Sequence, residues 1–294
     1  MQWQKITLIG VGLLGGSLGL AIKQRGLAKK VEGFVRRPAS IAECEQFGVV
    51  DRATCDLISA VEQADLVILC TPIAQMRELT EKMLPALRKE GIVTDVGSVK
   101  TSVVDDLETL VAGAGGHFIG SHPMAGAEKM GVSAARADLF NNAICAITPT
   151  VRSPTKAVRR VEDFWRSLGA RPLKLSSELH DEFISRSSHL PHVVAAELAN
   201  YVLSPAYPKE QGLLCGNGFR DSTRIASGSP EMWRDIALAN RKKLARVLGV
   251  FIEDLQEFQL ALENADTKAV QEFFEVAKLR RDEWCSKTSS PSAE

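Results

Sequence analysis

The stretch Lys5 to Ser17, KITLIGVGLLGGS, constrains this chain more than any other. Ile6 to Ile9 reads as a buried strand, and Gly10-Val11-Gly12-Leu13-Leu14-Gly15 as a turn whose backbone can approach a pyrophosphate. The helix that follows aims its free N–H groups and positive dipole end at that anion. A GxGxxG alone is a weak signal, because glycine-rich turns are common. Here a strand precedes it, a helix through Leu20 and Ile22 follows, and a second strand over Val31 to Val35 completes the unit that the motif requires. Gly10, Gly12, Leu13, Leu14 and Gly15 are therefore expected to hold a dinucleotide, against the alternative of a tight turn with no ligand.

Charge adds a second limit. Lys plus Arg and Asp plus Glu both count 36 in 294 residues, so no global field favours nucleic acid or an anionic membrane. A charged ligand must be held by a local cluster, which points to a small molecule. The six cysteines form no CxxC pair, as expected of reduced thiols, and the expected compartment is the cytoplasm. Ile6 to Ile22 carries no charge, yet five glycines interrupt it and no cleavage-like site closes it, so neither export nor membrane insertion is expected.

Apolar runs at Ile6 to Ile9, Val31 to Val35, Leu66 to Cys70, Ile92 to Asp95, Phe118 to Gly120 and Ala143 to Thr148 alternate with amphipathic stretches. This predicts an α/β, Rossmann-type, doubly wound and mostly parallel sheet, with ligands at the carboxyl ends of its strands. The second run ends at Val35, at or next to the position where an NAD-binding fold usually places an acid for the ribose hydroxyls, and Arg36 and Arg37 follow. Two arginines suit a 2′-phosphate, which favours NADP over NAD; the alternative is a solvated turn, with Glu32 as the acid. Thr71-Pro72 ends the third run at the cofactor, and Ser98 stands at the next mouth, where a serine cap is the plainer reading. His122 is expected immediately after a strand, stiffened by Pro123 and followed by a long loop to Asn142 that could close over a substrate. Imidazole there suits proton transfer near neutral pH.

A last strand over Arg171 to Leu175 closes the first domain, expected at 1–175. An all-helical substrate and dimerisation domain is expected over 176–285, with a disordered tail over 286–294. Its first helix, Ser176 to Leu203, should kink at Pro191, and His189 and His192 lack the companions of a metal site, so no metal is expected. Arg220, Asp221 and Arg224 make a polar cluster that a plain helical bundle does not need. Ser229-Pro230-Glu231 opens a helix, and Leu244, Leu248, Phe251, Leu255, Phe258 and Leu262 form a seam for a helix of this chain or of a second subunit.

With these residues assembled, the chain resembles the prephenate and arogenate dehydrogenase family over nearly its whole length. The marks are GVGLLGGSLGLA, DVGSVK at Asp95 to Lys100, GSHPMAG at Gly120 to Gly126, SHLPH at Ser188 to His192, and GFRDSTRIA from Gly218 followed by Trp233. Five ordered motifs are far more specific than one. The resemblance implies oxidative decarboxylation of prephenate or arogenate to 4-hydroxyphenylpyruvate or tyrosine, with hydride transfer to NAD(P), by a homodimer. It implies that His122 takes the proton of the ring hydroxyl, that Ser98 assists there, and that Arg224 pairs with a substrate carboxylate. His189, Trp233 and Ser121 would complete the substrate site. An acid at the end of the second strand, which many members carry, is missing. No regulatory domain is expected after the helical region, so tyrosine, if it regulates, would compete at the active site.

Two other readings are open: a related NAD(P)-dependent hydroxy-acid dehydrogenase or imine reductase, and a non-catalytic dinucleotide sensor. The first would place a lysine on the opening helix of the second domain, and none occurs between Lys174 and Lys209. The second would not need Ser98, His122 and Arg224 together.

Overall fold

The computed structural model describes residues 2–126 and 130–289. Eight strands, β1 (Trp3–Ile9), β2 (Ala28–Phe34), β3 (Arg52–Thr54), β4 (Leu66–Leu69), β5 (Ile92–Asp95), β6 (His117–Pro123), β7 (Ile144–Thr148) and β8 (Arg171–Lys174), form one sheet. Their order is β3-β2-β1-β4-β5-β6-β7-β8. All neighbours run parallel except β6 and β7. The chain winds outward in both directions from the β1/β4 boundary, so a crevice opens there at the carboxyl ends of the strands. Strand β3, absent from the expected runs, has three residues, of which only Ala53 is buried, too few to show a period.

Thirteen α-helices occur among the described residues: α1 (Leu13–Gln24), α2 (Ala39–Gln46), α3 (Leu57–Val61), α4 (Ile73–Met83), α5 (Thr101–Gly113), α6 (Thr155–Ser167), α7 (Ser177–Ile184), α8 (Leu190–Val202), α9 (Glu210–Leu213), α10 (Asn217–Thr223), α11 (Pro230–Ala239), α12 (Arg241–Glu263) and α13 (Thr267–Ser289). The two faces of the sheet bury alternate residues. Ile6, Leu8, Leu66 and Ile68 pack with Leu18 and Ile22 of α1 and with Trp165 of α6. Ile9, Val67, Leu69 and Val93 pack on the other side with Met76 of α4 and Val103 and Leu107 of α5. Strand side chains point to opposite faces in turn, so runs apolar at every position need a cover on both.

Strand β6 runs farther than the sequence suggests. Its last four residues, Gly120 to Pro123, pair antiparallel with Thr148 to Cys145 of β7. His122 therefore lies inside a strand, opposite Ala146, and not immediately after one. Antiparallel pairing satisfies the backbone beyond the point where the parallel ladder with β5 ends at Ile119. Of the loop toward Asn142, residues 127–129 lie outside the described residues. The part from Val132 docks on α1: Arg136 donates its amide to Ser17 Oγ at 3.0 Å, and Val132, Leu139 and Phe140 are buried.

The expected helix over Ser176 to Leu203 is broken into α7, a π-helical turn at Ser185–His189, and α8. The irregularity precedes Pro191 because proline lacks the N–H that would continue the α-register, and its ring crowds the previous turn.

Residues 1–241 and 242–294 are two compact units. This division does not coincide with the expected boundary after residue 175. Helix α7 is tied into the first unit through Asp181, whose carboxylate accepts the backbone amides of Lys100 and Thr101 at the head of α5. In the second unit Phe258 packs against Phe273 at 4.3 Å and Phe274 at 5.7 Å between ring centres, while Leu255, Leu262 and Leu279 remain exposed. Ser286 to Ser289, placed in the expected disordered tail, belong to α13, because the helix has no breaker there; 290–294 lie outside the described residues.

Candidate active site

The glycine turn sits between β1 and α1 with Gly10 at φ +96°, a conformation a side chain would strain. A Cβ on Gly15 would stand 2.1 Å from the Gly10 carbonyl oxygen, so helix and turn approach as closely as they do only because Gly15 has none. A Cβ on Gly12 would meet nothing within 4 Å, and no side chain caps α1 there. The first amides of a helix have no partner within it, so those of α1 are available to bind an anion. Thr71 lies against Gly10, and its hydroxyl is buried with no hydrogen-bond partner among the described residues. Open cradle, uncapped helix and orphaned hydroxyl fit a dinucleotide.

At the end of β2, Val35 is buried and apolar while Arg36 and Arg37 are exposed. Glu32 cannot take the role of ribose acid. Its carboxylate is buried and bound to Lys5 and Lys30, both at 2.6 Å, which lowers its pKa although burial alone would raise it.

Beyond the strand ends, a polar array leads from β6 into the helical region. His122 Nδ1 lies 2.9 Å from His180 Nε2, and His180 Nδ1 lies 2.8 Å from Asp181 Oδ1. Asp181 Oδ1 also accepts the Lys100 amide at 2.7 Å, and Oδ2 the Thr101 amide at 2.9 Å. Asn240 donates to the Asp181 carbonyl at 2.9 Å and lies 3.3 Å from His189 Nδ1. His189 sits edge-on to Trp233, with ring centres 6.1 Å apart, and His192 stacks on the same indole at 3.7 Å. Arg224 stands close enough to His192 to lower its pKa, after burial, the larger cause.

Burial, and then His180, Lys100 and His189, hold the His122 imidazole well below the usual histidine range, so it is neutral at neutral pH. Burial likewise pushes His189 down to about 4, and its Nε2 is buried with no hydrogen-bond partner among the described residues. Burial opposes ionisation of Asp181, but the bonds from His180, Lys100 and Thr101 outweigh it and hold the carboxyl below its usual range.

The structure thus joins His122, His189, Trp233 and Arg224 in one array, and Ser98, half-buried, lies two residues before Lys100. Ser121 does not join them. Its side chain is wholly buried, donating to the Asp95 carbonyl at 2.5 Å and lying 2.9 Å from Thr94 Oγ1 and 3.1 Å from Trp165 Nε1. It points into the sheet interior because alternate residues of β6 face opposite sides, and its neighbour His122 takes the other. Lys100, equally buried, binds the Asp95 carboxylate and donates to the Ser121 carbonyl at 2.9 Å, fixing the mouths of β5 and β6 together. Sequence reasoning missed His180, Asp181 and Asn240, whose spacing carries no signal, and gave Lys100 only the start of a helix.

Two family models match in tandem: "Prephenate dehydrogenase, nucleotide-binding domain" over residues 18–174 and "Prephenate dehydrogenase, dimerization domain" over residues 176–277. A prephenate dehydrogenase of Bacillus subtilis is 36% identical over 94% of this chain and 75% of its own length. A cyclohexadienyl dehydrogenase of Zymomonas mobilis is 34% identical over 95% of both chains. Among solved structures, a prephenate dehydrogenase from A. aeolicus in complex with hydroxyphenyl propionate and NAD+ is 31% identical, with a TM-score of 0.90, covering 96% of this chain and 99% of that one. Motifs, fold and tandem match converge: the chain belongs to the prephenate dehydrogenase family.

Proposed function

We propose that this dehydrogenase catalyses oxidative decarboxylation of prephenate or arogenate, with NADP preferred over NAD. The observation that carries the reading is the continuous array from His122 to Arg224 on the same edge of the sheet as the glycine cradle. Gly10, Gly12, Leu13, Leu14, Gly15, Thr71 and Pro72 hold the dinucleotide, whose nicotinamide supplies the hydride acceptor when bound, and Arg36 and Arg37 read a 2′-phosphate. Arg224 and Trp233 seat the substrate, with the guanidinium on a carboxylate. His189, whose Nδ1 faces the Asn240 amide, presents an Nε2–H donor.

Neutral His122 accepts a hydrogen bond from the ring hydroxyl and takes its proton as the hydride leaves the same carbon; Ser98 orients that hydroxyl. The ring carboxylate departs as CO2, its electron pair closes the aromatic ring, and the proton returns to the phenolic oxygen. A prephenate dianion and an oxidised cofactor thus yield a product monoanion, CO2 and a reduced cofactor; arogenate, whose ammonium offsets one carboxylate, goes from net monoanion to net-neutral tyrosine in the same way. Aromatisation supplies driving force, so the protein's task is alignment and one transient proton transfer.

We infer that 1–175 forms the dinucleotide part and 176–285 the substrate and dimerisation part. The apolar face left open by Leu255, Leu262 and Leu279, with the family's dimerisation domain, supports a homodimer. The absence of any CxxC pair among the six cysteines supports a reducing, cytoplasmic setting. No helix among the described residues is long and apolar enough to cross a membrane.

The test is reduced-cofactor absorbance in four mixtures: prephenate or arogenate, each with NAD or NADP. Turnover is expected, fastest with NADP. Four blank mixtures from folded protein that binds dinucleotide would contradict the reading.

A further inference from the structure

We propose that His180 and Asp181 are positioning residues that lock the tautomer of His122, keeping its Nε2 unprotonated and facing the substrate. This rests on the role proposed for His122 as the proton acceptor. The argument follows the hydrogen atoms. Both Asp181 oxygens accept backbone amides from the head of α5, so the carboxylate is ionised and has no hydrogen to give. Its 2.8 Å contact with His180 Nδ1 then requires the hydrogen on that nitrogen. A His180 that carries only this hydrogen has a lone pair on Nε2, and the 2.9 Å contact with His122 then places the hydrogen on His122 Nδ1. The free lone pair of His122 is therefore on Nε2. In the opposite tautomer two lone pairs would face each other.

The frame is rigid. His180 and Asp181 are each 1% exposed, and Asn240 of α11's C-terminus pins the Asp181 carbonyl. One carboxylate therefore both caps α5 and, through His180, sets the imidazole of His122. The charged and titratable groups around His122 are His180 and Asp181 of α7, His189 of the π-turn, Lys100 at the head of α5 with its partner Asp95 of β5, and Cys145 of β7.

Nitrogen-15 NMR of the full chain reads the tautomers directly, since there are only five histidines to assign by single replacement. His122 and His180 are both expected to carry a single hydrogen, on Nδ1; hydrogen on Nε2 of His122, or on both nitrogens of His180, would overturn the proposal, whether or not the enzyme turns over. Kinetics give the second arm. His180→Leu should lower kcat roughly 10- to 100-fold, with substrate KM and dinucleotide affinity within about twofold. His180→Gln, which keeps an acceptor oxygen for His122 Nδ1, should recover most of the rate. Asp181→Asn should move the acid limb of the kcat profile to lower pH, because the imidazolium loses its counter-charge. Equal losses in Leu and Gln variants with an unmoved profile would show a merely structural role. If the wild-type protein turns over neither substrate, the proposed function fails, and the NMR result still decides the tautomer lock.

Discussion

Arg224 stands on the surface at the end of α10, beside His192 stacked on Trp233, and its value to the account depends on what it grips. A guanidinium offers two parallel donors to a carboxylate, and the interaction is charge-assisted. Arg224→Ala should therefore raise substrate KM roughly 10- to 100-fold, a loss of about 1.5 to 3 kcal/mol, and leave dinucleotide affinity unchanged. Steady-state kinetics with separate cofactor titration check this; a defect confined to the cofactor would move Arg224 to the other site. At this scale the sequence was partly legible. His122 stood out by its motif, although it lies inside β6 and not immediately after a strand. Ser121, one residue away, was misassigned because a motif does not say which face of a strand each residue takes. His180 and Asp181 were invisible, since their work depends on α7 meeting the head of α5, residues far away in the chain.

Between β2 and α2 the short turn at Val35 to Arg37 sets the proposed cofactor choice. Glu32, the one acid in β2, is consumed by Lys5 and Lys30, leaving the arginines as the charges at the strand end. Replacing both Arg36 and Arg37 with Ala should raise the KM for NADP by roughly 10-fold or more while that for NAD changes little, since only the 2′-phosphate loses charge-assisted bonds. Equal effects on both cofactors would make the turn a solvated one. Elements built on local patterns were legible: β1, the glycine turn and α1 follow from thirteen residues, KITLIGVGLLGGS. The π-turn was legible only as a kink, because Pro191 announces a fault in the helix and not the register that absorbs it. The extension of β6 through His122 was hidden because its partner β7 lies 22 residues or more along the chain from each pairing residue.

For the molecule as a whole, the buried neutral histidine predicts an acid-sensitive fold. His189 titrates near 4 in the folded chain, against an ordinary value of 6.5. The unfolded state therefore binds more protons between these values, and stability, complete above about pH 6.5, falls as pH drops toward 4. This one group accounts for at most about 3 kcal/mol. Asp181, held below its usual range, adds a loss in the same direction at still lower pH. Denaturant unfolding from pH 7 to 4.5 should show the decline, and His189→Gln, which cannot charge, should flatten it; an unchanged slope would remove His189 as its cause. The doubly wound plan was legible from the alternation of runs.

The most direct measurement is prephenate turnover by His122→Asn beside the wild-type protein, with dinucleotide affinity determined on the same samples. The account predicts a kcat lower by roughly two to four orders of magnitude with cofactor binding intact, as for loss of a general base. An unchanged kcat would contradict it.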